Sequence, residues 1–528
     1  MRSRGVVAAA VLSSALVSGG WLMERGTTSR APLDAAGGAR LFDEVLSHLR
    51  RDYVDTLPDS LLYRKAVSGL LGELHDPHSL FLDAKRLGRL DESTSGHYAG
   101  VGIQMDVRDS GITVVATLPG TPAEQAGISS GDRIVDIDGK ATRGLTSDEA
   151  LKTLRGPAGT PVRVTVERPG MLTPLSFTLT RREIQVNPVQ HALMLQDGVG
   201  YVDLTVFSAE AAADLQRATD SLRTAGARSL VLDLRGNPGG LLDQGIGVAD
   251  LFLDAGQPIV ATRGRTADEN RGYADRAAQR WATMPLVVLT DSGTASASEI
   301  VAGALQDHDR ALVLGTATYG KGSAQRVFRL PDGAVKLTTA LWYTPSGRSI
   351  NRPRPDNNAI ADGDDGDAQP DTTKPRPAFK TDAGRKVLGG GGIVPDVEVP
   401  NRVATKEDKA MQTALGAKVP QFRNVLVDYA IALKSARSIT SPDFAVTPAM
   451  RDELYRRLQA RGVVVDRAVY DSANALVSRL LASHITRFVF GPQAEFARTL
   501  REDADIAKAQ QLLRGVTTPK ELLQRAGK

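Results

Sequence analysis

Cysteine is absent from all 528 residues, which excludes disulfides and a lipid-bearing cysteine as means of holding or anchoring the chain. The absence stays compatible with an exported location, because export does not require disulfides. Surplus charge is scarce as well. A formal net charge of +4 over this length, with no long basic run, argues against a nucleic-acid partner. Metal and nucleotide signatures are also missing. His75-Asp76-Pro77-His78-Ser79 brings two histidines together, but the proline breaks helical spacing and no further ligands stand nearby, so a turn is expected. Asp362 to Asp367 lacks the glutamate that closes an EF-hand loop, since Thr373 stands at that position. Arg235-Gly236-Asn237-Pro238-Gly239-Gly240 has neither the lysine of a P-loop nor the spacing of a dinucleotide fingerprint. No metal and no cofactor are expected.

What remains is ordinary globular material, 41% hydrophobic and 24% charged, long enough for several domains. Arg2 and Arg4 precede Val6 to Met23, an uncharged apolar stretch. Residues 1–24 therefore read as an export signal or a signal anchor, with residues 6–23 as the membrane segment and a periplasmic or cell-envelope destination. No clean small-x-small site decides between cleavage and retention. Residues 40–96 form a helical lead-in, with Leu41, Val45, Leu49 and then Leu62, Ala66, Leu70 at helical spacing.

The most informative stretch runs from Asp291 to Gln325. An apolar strand, Pro285 to Thr290, leads into the small residues Thr294-Ala295-Ser296-Ala297-Ser298. A helix follows, with Ile300, Val301, Ala304 and Leu305 on one face and Glu299 in the first turn, where a carboxylate suits the helix dipole. Ser296 thus sits at a strand-to-helix corner beside free N–H groups, a setting that favours developing negative charge on a hydroxyl. The next strand, Ala311 to Leu314, delivers Tyr319-Gly320-Lys321-Gly322. Lys321 is the candidate base. It must be neutral, so its pKa of about 10.4 in water has to fall through burial away from carboxylates. Nothing acidic lies between Gly315 and Arg329, and Gln325 is a neutral partner for the amine. His308 offers a histidine base instead, but at the helix exit a C-terminal dipole contact accounts for it.

The segments TASASEI and TYGKGSAQ resemble those of the carboxyl-terminal processing, or tail-specific, serine proteases. The resemblance spans about residues 40–400 and implies Ser296 as nucleophile, Lys321 as base and Gln325 as the amide that orients the lysine. Thr294 departs from the serine often found there. From Gly198 onward strands alternate with helices, which argues for a parallel α/β core; by resemblance it is crotonase-like, over residues 184–400, with a flexible insertion at 352–392. In such proteases the turn LDLRGNPGG faces the nucleophile. The implied oxyanion donors are the amide of Ala297 and that of Gly239 or Gly240. Arg263 to Arg280 is a charged excursion, either a flap near the cleft or an inert loop, and Leu337 to Ala340 are expected along the substrate channel.

Residues 97–183 read as a compact β-rich module, and TPAEQAGI followed by GDRIVDIDG resembles a PDZ domain. The resemblance implies that a peptide C-terminus adds a strand beside Ile103 to Val107 while the amides around Val101, Gly102 and Ile103 capture its carboxylate. Ala150, Leu151 and Leu154 are the expected helical wall. Arg155 is either a helix-end charge or an ion contact that senses substrate. Residues 401–528 are helical and are expected to serve packing or self-association, in a homo-oligomer. The implied function is an exported endopeptidase acting on proteins with exposed C-terminal tails through an acyl-enzyme. The alternative is a catalytically inactive PDZ scaffold of the cell envelope, which would not need serine, lysine and glutamine together.

Overall fold

The structure is a computed structural model that describes residues 34–108, 111–169, 171, 173–352, 376–400 and 404–527. The expected export segment and most of the 352–392 insertion lie outside the described residues. Among the described residues no helix is long and apolar enough to cross a membrane. The chain divides into two units, one ending at Phe81 and one beginning at Leu82.

In the first unit, α1 (Ala35–Asp52) is capped by the Asp34 carboxylate, which accepts from Gly37 N at 2.7 Å, and α2 (Asp59–Gly72) follows. The expected apolar stripe is buried only at Leu62 among its leucines and valine. Leu46, Leu62 and Leu71 are buried, whereas Leu41, Val45, Leu49 and Leu70 are exposed; in α1 it is Leu46, one position on from Val45, that turns inward. His75 to Ser79 is a turn, with the Asp76 carboxylate accepting from Ser79 Oγ at 2.7 Å. Among the described residues no group of acidic, histidine or cysteine side chains could hold a metal.

The second unit starts with α3 (Ala84–Ser95). A short antiparallel ribbon, β1 (His97–Gly100) against β7 (Arg182–Gln185), ties the entry and exit of the β-rich module together. Between them lie β2 (Ile103–Arg108), β3 (Gly111–Thr117), a short helix α4 (Pro122–Gln125), β4 (Arg133–Ile137), α5 (Ser147–Leu154), β5 (Pro161–Glu167) and β6 (Leu175–Thr180). The strands form an antiparallel sheet in the order β2-β3-β4-β5-β6. Alternate residues Ile112, Val114, Ile134, Val162, Val164 and Val166 fill its core, the period-two pattern of a one-faced sheet. β2 is an edge strand, so its outer side is open beside α5.

The core is a mostly parallel sheet. Its strands are β8 (Ala192–Met194), β9 (Val199–Asp203), β10 (Ser229–Asp233), β13 (Leu286–Thr290), β14 (Leu312–Gly315) and β17 (Val397–Glu398), hydrogen-bonded in that order with only β8 antiparallel. Every residue of β9, β10, β13 and β14 is buried, as a sheet covered on both faces requires. On one face Leu230, Leu232 and Val288 pack against α6 (Ala211–Thr224), α7 (Leu242–Asp250) and α8 (Ala297–Asp307). A second, antiparallel sheet contains β11 (Pro258–Gly264), β12 (Arg271–Ala274), β15 (Ser323–Leu330) and β16 (Gly333–Tyr343). The charged excursion after Arg263 is therefore largely a hairpin, and Arg326 of β15 pairs with Asp268 and Glu269 on it.

The C-terminal helices divide by partner. Helices α9 (Lys406–Leu415), α10 (Val419–Ser435), α11 (Pro448–Ala460), α12 (Arg467–Ser472) and α13 (Asn474–Phe490) share a core of their own around Leu426, Leu454, Leu458 and Leu481. Helices α14 (Pro492–Arg501), α15 (Ala504–Leu513) and α16 (Pro519–Ala526) instead bring Leu500, Ile506, Leu512, Leu513 and Leu522 onto the other face of the core sheet, against Tyr201, Val231, Val287 and Leu312. The α/β core is thus completed by residues some hundred positions beyond the end expected for it.

Candidate active site

β10 and β13 are neighbours in the sheet, so their C-terminal turns lie side by side, where open α/β sheets place their ligands. Side chains from both turns weld them. The buried Asn237 accepts at its main-chain oxygen from Ala295 N at 2.9 Å and Ser298 Oγ at 3.0 Å, and donates through Nδ2 to Leu204 O at 2.6 Å. Asp291 Oδ1 accepts from Gly236 N at 2.8 Å and Gly293 N at 2.9 Å. Thr294, fully buried, donates its hydroxyl to Leu234 O at 2.8 Å. A serine at that position could make the same bond, so the departure at Thr294 preserves this contact.

Ser296 stands at the end of that turn with φ 57° and ψ −115°, a conformation that costs a non-glycine residue about 1–3 kcal/mol and persists only when its surroundings over-determine it. Here Glu299 does so. Its carboxylate is fully buried and accepts four hydrogen bonds: Oε2 from Ser296 N at 2.8 Å and Lys321 N at 2.9 Å, and Oε1 from Thr318 Oγ1 at 2.5 Å and Gly320 N at 2.7 Å. Burial pushes this carboxyl up, opposed first by Thr318 and then by the three amides. Because one oxygen binds both Ser296 N and Lys321 N, those nitrogens are at most the sum of two bonds, about 5.7 Å, apart.

Glu299 is in the first turn as expected, and beyond a dipole contact it is a buried clamp. The Lys321 loop is likewise not remote from carboxylates, since one sits on its main chain. The spacing Ser296-x-x-Glu299, a capping-box signature, is the signal that could have found the clamp. Lys321 is half-buried. Gln325, past a register shift in β15, donates Nε2 to Ser323 Oγ at 2.9 Å and to Thr338 Oγ1 at 3.3 Å, which ties its amide nitrogen to the sheet.

Gly239 has no room for a side chain, since a Cβ there would stand 2.7 Å from the Ser296 Cβ and 2.9 Å from Ala297 N. The chain passes directly against the serine turn. Of the two glycines considered as oxyanion donors, Gly239 already donates its N–H to Asn237 Oδ1 at 2.9 Å. The amides of Gly240 and Ala297 donate to no protein acceptor among the described residues. His308 lies at the far end of the 11-residue α8, about 18 Å along the axis from Ser296 at 1.5 Å per residue. Its ring contacts Asp382 Oδ2 and Pro258 O, each at 2.7 Å, so it is not paired with the serine.

Residues 198–358 match peptidase family S41, and residues 113–168 match the PDZ domain family. A carboxy-terminal-processing protease of Bartonella bacilliformis is 40% identical over 349 residues, which cover 65% of this chain and 79% of that protein. The chain belongs to the carboxy-terminal processing protease family. A carboxyl-terminal-processing protease of Picosynechococcus is 42% identical over 293 residues, 54% of this chain and 70% of that one. Among solved structures, a photosystem II D1 C-terminal processing protease is 30% identical, with 71% of this chain and 90% of that chain covered and a TM-score of 0.37. This chain is thus a serine-type peptidase with a PDZ domain.

In this protease the PDZ groove lies between the open edge of β2 and α5. Val101 and Ile103 bury their side chains in the PDZ core, leaving main chain to face the groove, and Gly102 leaves no space for a Cβ beside Thr121. Leu151 and Leu154 line the groove. Ala150 does not: it is completely buried within the PDZ core, because helical spacing turns it one step further inward than Leu151. Arg155 Nη1 meets Glu92 Oε2 of α3 at 2.5 Å, with the guanidinium 4.9 Å from the centre of the Tyr98 ring. Arg155 thus ends α5 and also makes an ion pair.

Sequence reasoning missed Arg235, which begins the glycine-rich turn of the protease. Its Nη1 reaches Asp503 Oδ2 and Asp505 Oδ2, both at 2.8 Å, while Nη2 holds Asp233 Oδ2 at 2.6 Å. Burial works against the guanidinium's charge, but Asp233 and Asp503 outweigh it and raise its pKa. The C-terminal helices are therefore tied to the turn that faces Ser296. Replacing both Asp503 and Asp505 with alanine leaves a half-buried guanidinium short of partners. The expected outcome is a loss of about 3–5 kcal/mol in stability, read by urea denaturation, with a lower kcat. Unchanged stability and kcat would show the tie to be idle.

Proposed function

We propose that this protease cleaves proteins presented by their C-terminal tails, with Ser296 as nucleophile and Lys321 as base. The observation that carries this reading is the Glu299 carboxylate, which holds the N–H of both residues on a single oxygen. In the proposed sequence the tail lies along β2 in the PDZ groove and the chain continues as a strand toward the serine. Ser296 Oγ attacks a peptide carbonyl while the uncharged Lys321 amine takes its proton. The oxyanion that forms is received by the amides of Ala297 and Gly240. Lys321 then passes the proton to the leaving amine, and water resolves the acyl-enzyme. Gln325, anchored through its nitrogen, has its amide oxygen to orient the lysine.

Export to the periplasm or cell envelope belongs to the same reading and rests on residues 1–24. A crotonase-like relationship of the core is supported by the parallel strands followed by helices. The test is cleavage of an unfolded protein with and without a free apolar C-terminal tail, followed on gels. Cleavage should require the tail and should vanish in Ser296→Ala, with tail binding retained. Equal cleavage of the two substrates would remove the tail reading, and proteolysis by Ser296→Ala would remove the nucleophile.

A further inference from the structure

The PDZ groove opens into a cleft of about 1200 Å³ whose opposite side is not PDZ at all. It is built from the segment leading back to the core, including His191, and from α13 and α14 through Arg487, Glu495 and Phe496. Small-ligand pockets span roughly 300–1,000 Å³, so a space this size suits a peptide of several residues.

The far wall is rigid and specific in shape. The Phe496 ring stacks on His191 with centroids 3.5 Å apart and planes 10° from parallel. Asp203 fixes the imidazole, with Oδ2 at 2.7 Å from Nδ1 and Oδ1 accepting His191 N at 2.6 Å. Two arginines of the cleft, Arg155 and Arg487, each bury an Nε that finds no hydrogen-bond partner among the described residues. Arg487 lies 3.4 Å from Glu495 through Nη1 and keeps more than a third of its side chain exposed in the cleft. At the other end Arg182 stands opposite Gly100 in the ribbon, next to Val101 and Gly102, and among the described residues its guanidinium donates to the neutral Gly120 O and Gln125 Oε1.

We propose that the tail-binding site is composite: the PDZ domain holds the last residues and their carboxylate, and the C-terminal helices read the upstream part of the tail. Phe496 on His191 forms an apolar ledge for that part. Arg487 selects an acidic side chain there. The proposal rests on the reading that a C-terminal tail occupies the PDZ groove.

The experiment uses the full chain carrying Ser296→Ala and fluorescence anisotropy with three kinds of labelled peptide. One has a free apolar C-terminus and a single glutamate moved stepwise through neutral upstream positions. The second has glutamine in its place, and the third is the glutamate peptide with an amidated C-terminus. At one or two positions glutamate should bind about tenfold tighter than glutamine, the size expected of a charge-assisted hydrogen bond. Arg487→Met should close that gap, Arg487→Lys should keep most of it, and Phe496→Ala should weaken long peptides more than ones holding only the terminal residues. Thermal unfolding checks that each variant is folded. A glutamate preference that survives Arg487→Met, or none at any position, overturns the composite site. Amidation without effect would instead remove the tail reading beneath it, whatever the Arg487 variants do.

Discussion

Glu299→Ala is expected to abolish proteolysis and to lower stability by several kcal/mol. The substitution takes the acceptor from three main-chain N–H groups and from the Thr318 hydroxyl, all converging on one buried carboxylate. Each buried donor left unpaired costs about 1–3 kcal/mol, against a total of about 5–15 kcal/mol for a typical domain. The effect on activity follows from geometry. Ser296 is held at positive φ, and without Glu299 that conformation loses its shared tie to the main chain of Gly320 and Lys321. Glu299→Gln separates the two effects, because it keeps the size of the side chain but turns an NH2 group toward donors on at least one side. It should stay folded yet lose about 100-fold in kcat, the scale of a misplacement near 1 Å. Denaturant titration and steady-state kinetics on the same preparations check both. Wild-type kcat in Glu299→Gln would mean that the shared carboxylate does not position the two residues.

Lys321→Met should cost at least about 10⁴-fold in kcat, the upper range for loss of a positioned base, while leaving KM for a tail-bearing substrate nearly unchanged. Lys321→Arg gives the sharper contrast. Arginine keeps the charge and the length, but it stays protonated at any workable pH, so it cannot accept the serine proton. A lysine that served only to attract substrate would tolerate the change to arginine. A lysine that acts as a base would not, and Lys321→Arg should be as inactive as Lys321→Met.

Much of this site was legible because its chemistry is local in sequence. A strand, a run of small residues and a helix put Ser296 on a corner, and glycines on both sides of Lys321 mark a close main-chain approach. Beyond the helix faces of Ala150 and Leu46, what was not legible is the part made by long-range contacts. Glu299 looks like any first-turn acid until Thr318, Gly320 and Lys321 arrive from a second loop and bury it. The choice between Gly239 and Gly240 turns on Asn237 Oδ1, whose direction no spacing reveals. Helices after residue 400 were visible from periodicity, but not which of them would pack on the core sheet. Nor could any pattern say that Asp503 and Asp505 would meet Arg235, more than 260 positions earlier. The strands of the core gave no face preference, since both of their faces are covered.

The most direct test of the central claim is to treat the protein with a fluorophosphonate and map the phosphonylated residue by mass spectrometry of a digest. The account predicts a single adduct, on Ser296, formed rapidly by the unaltered chain and at a negligible rate by folded Lys321→Met. An adduct on another serine, or Ser296 labelled equally fast without the Lys321 amine, would contradict it.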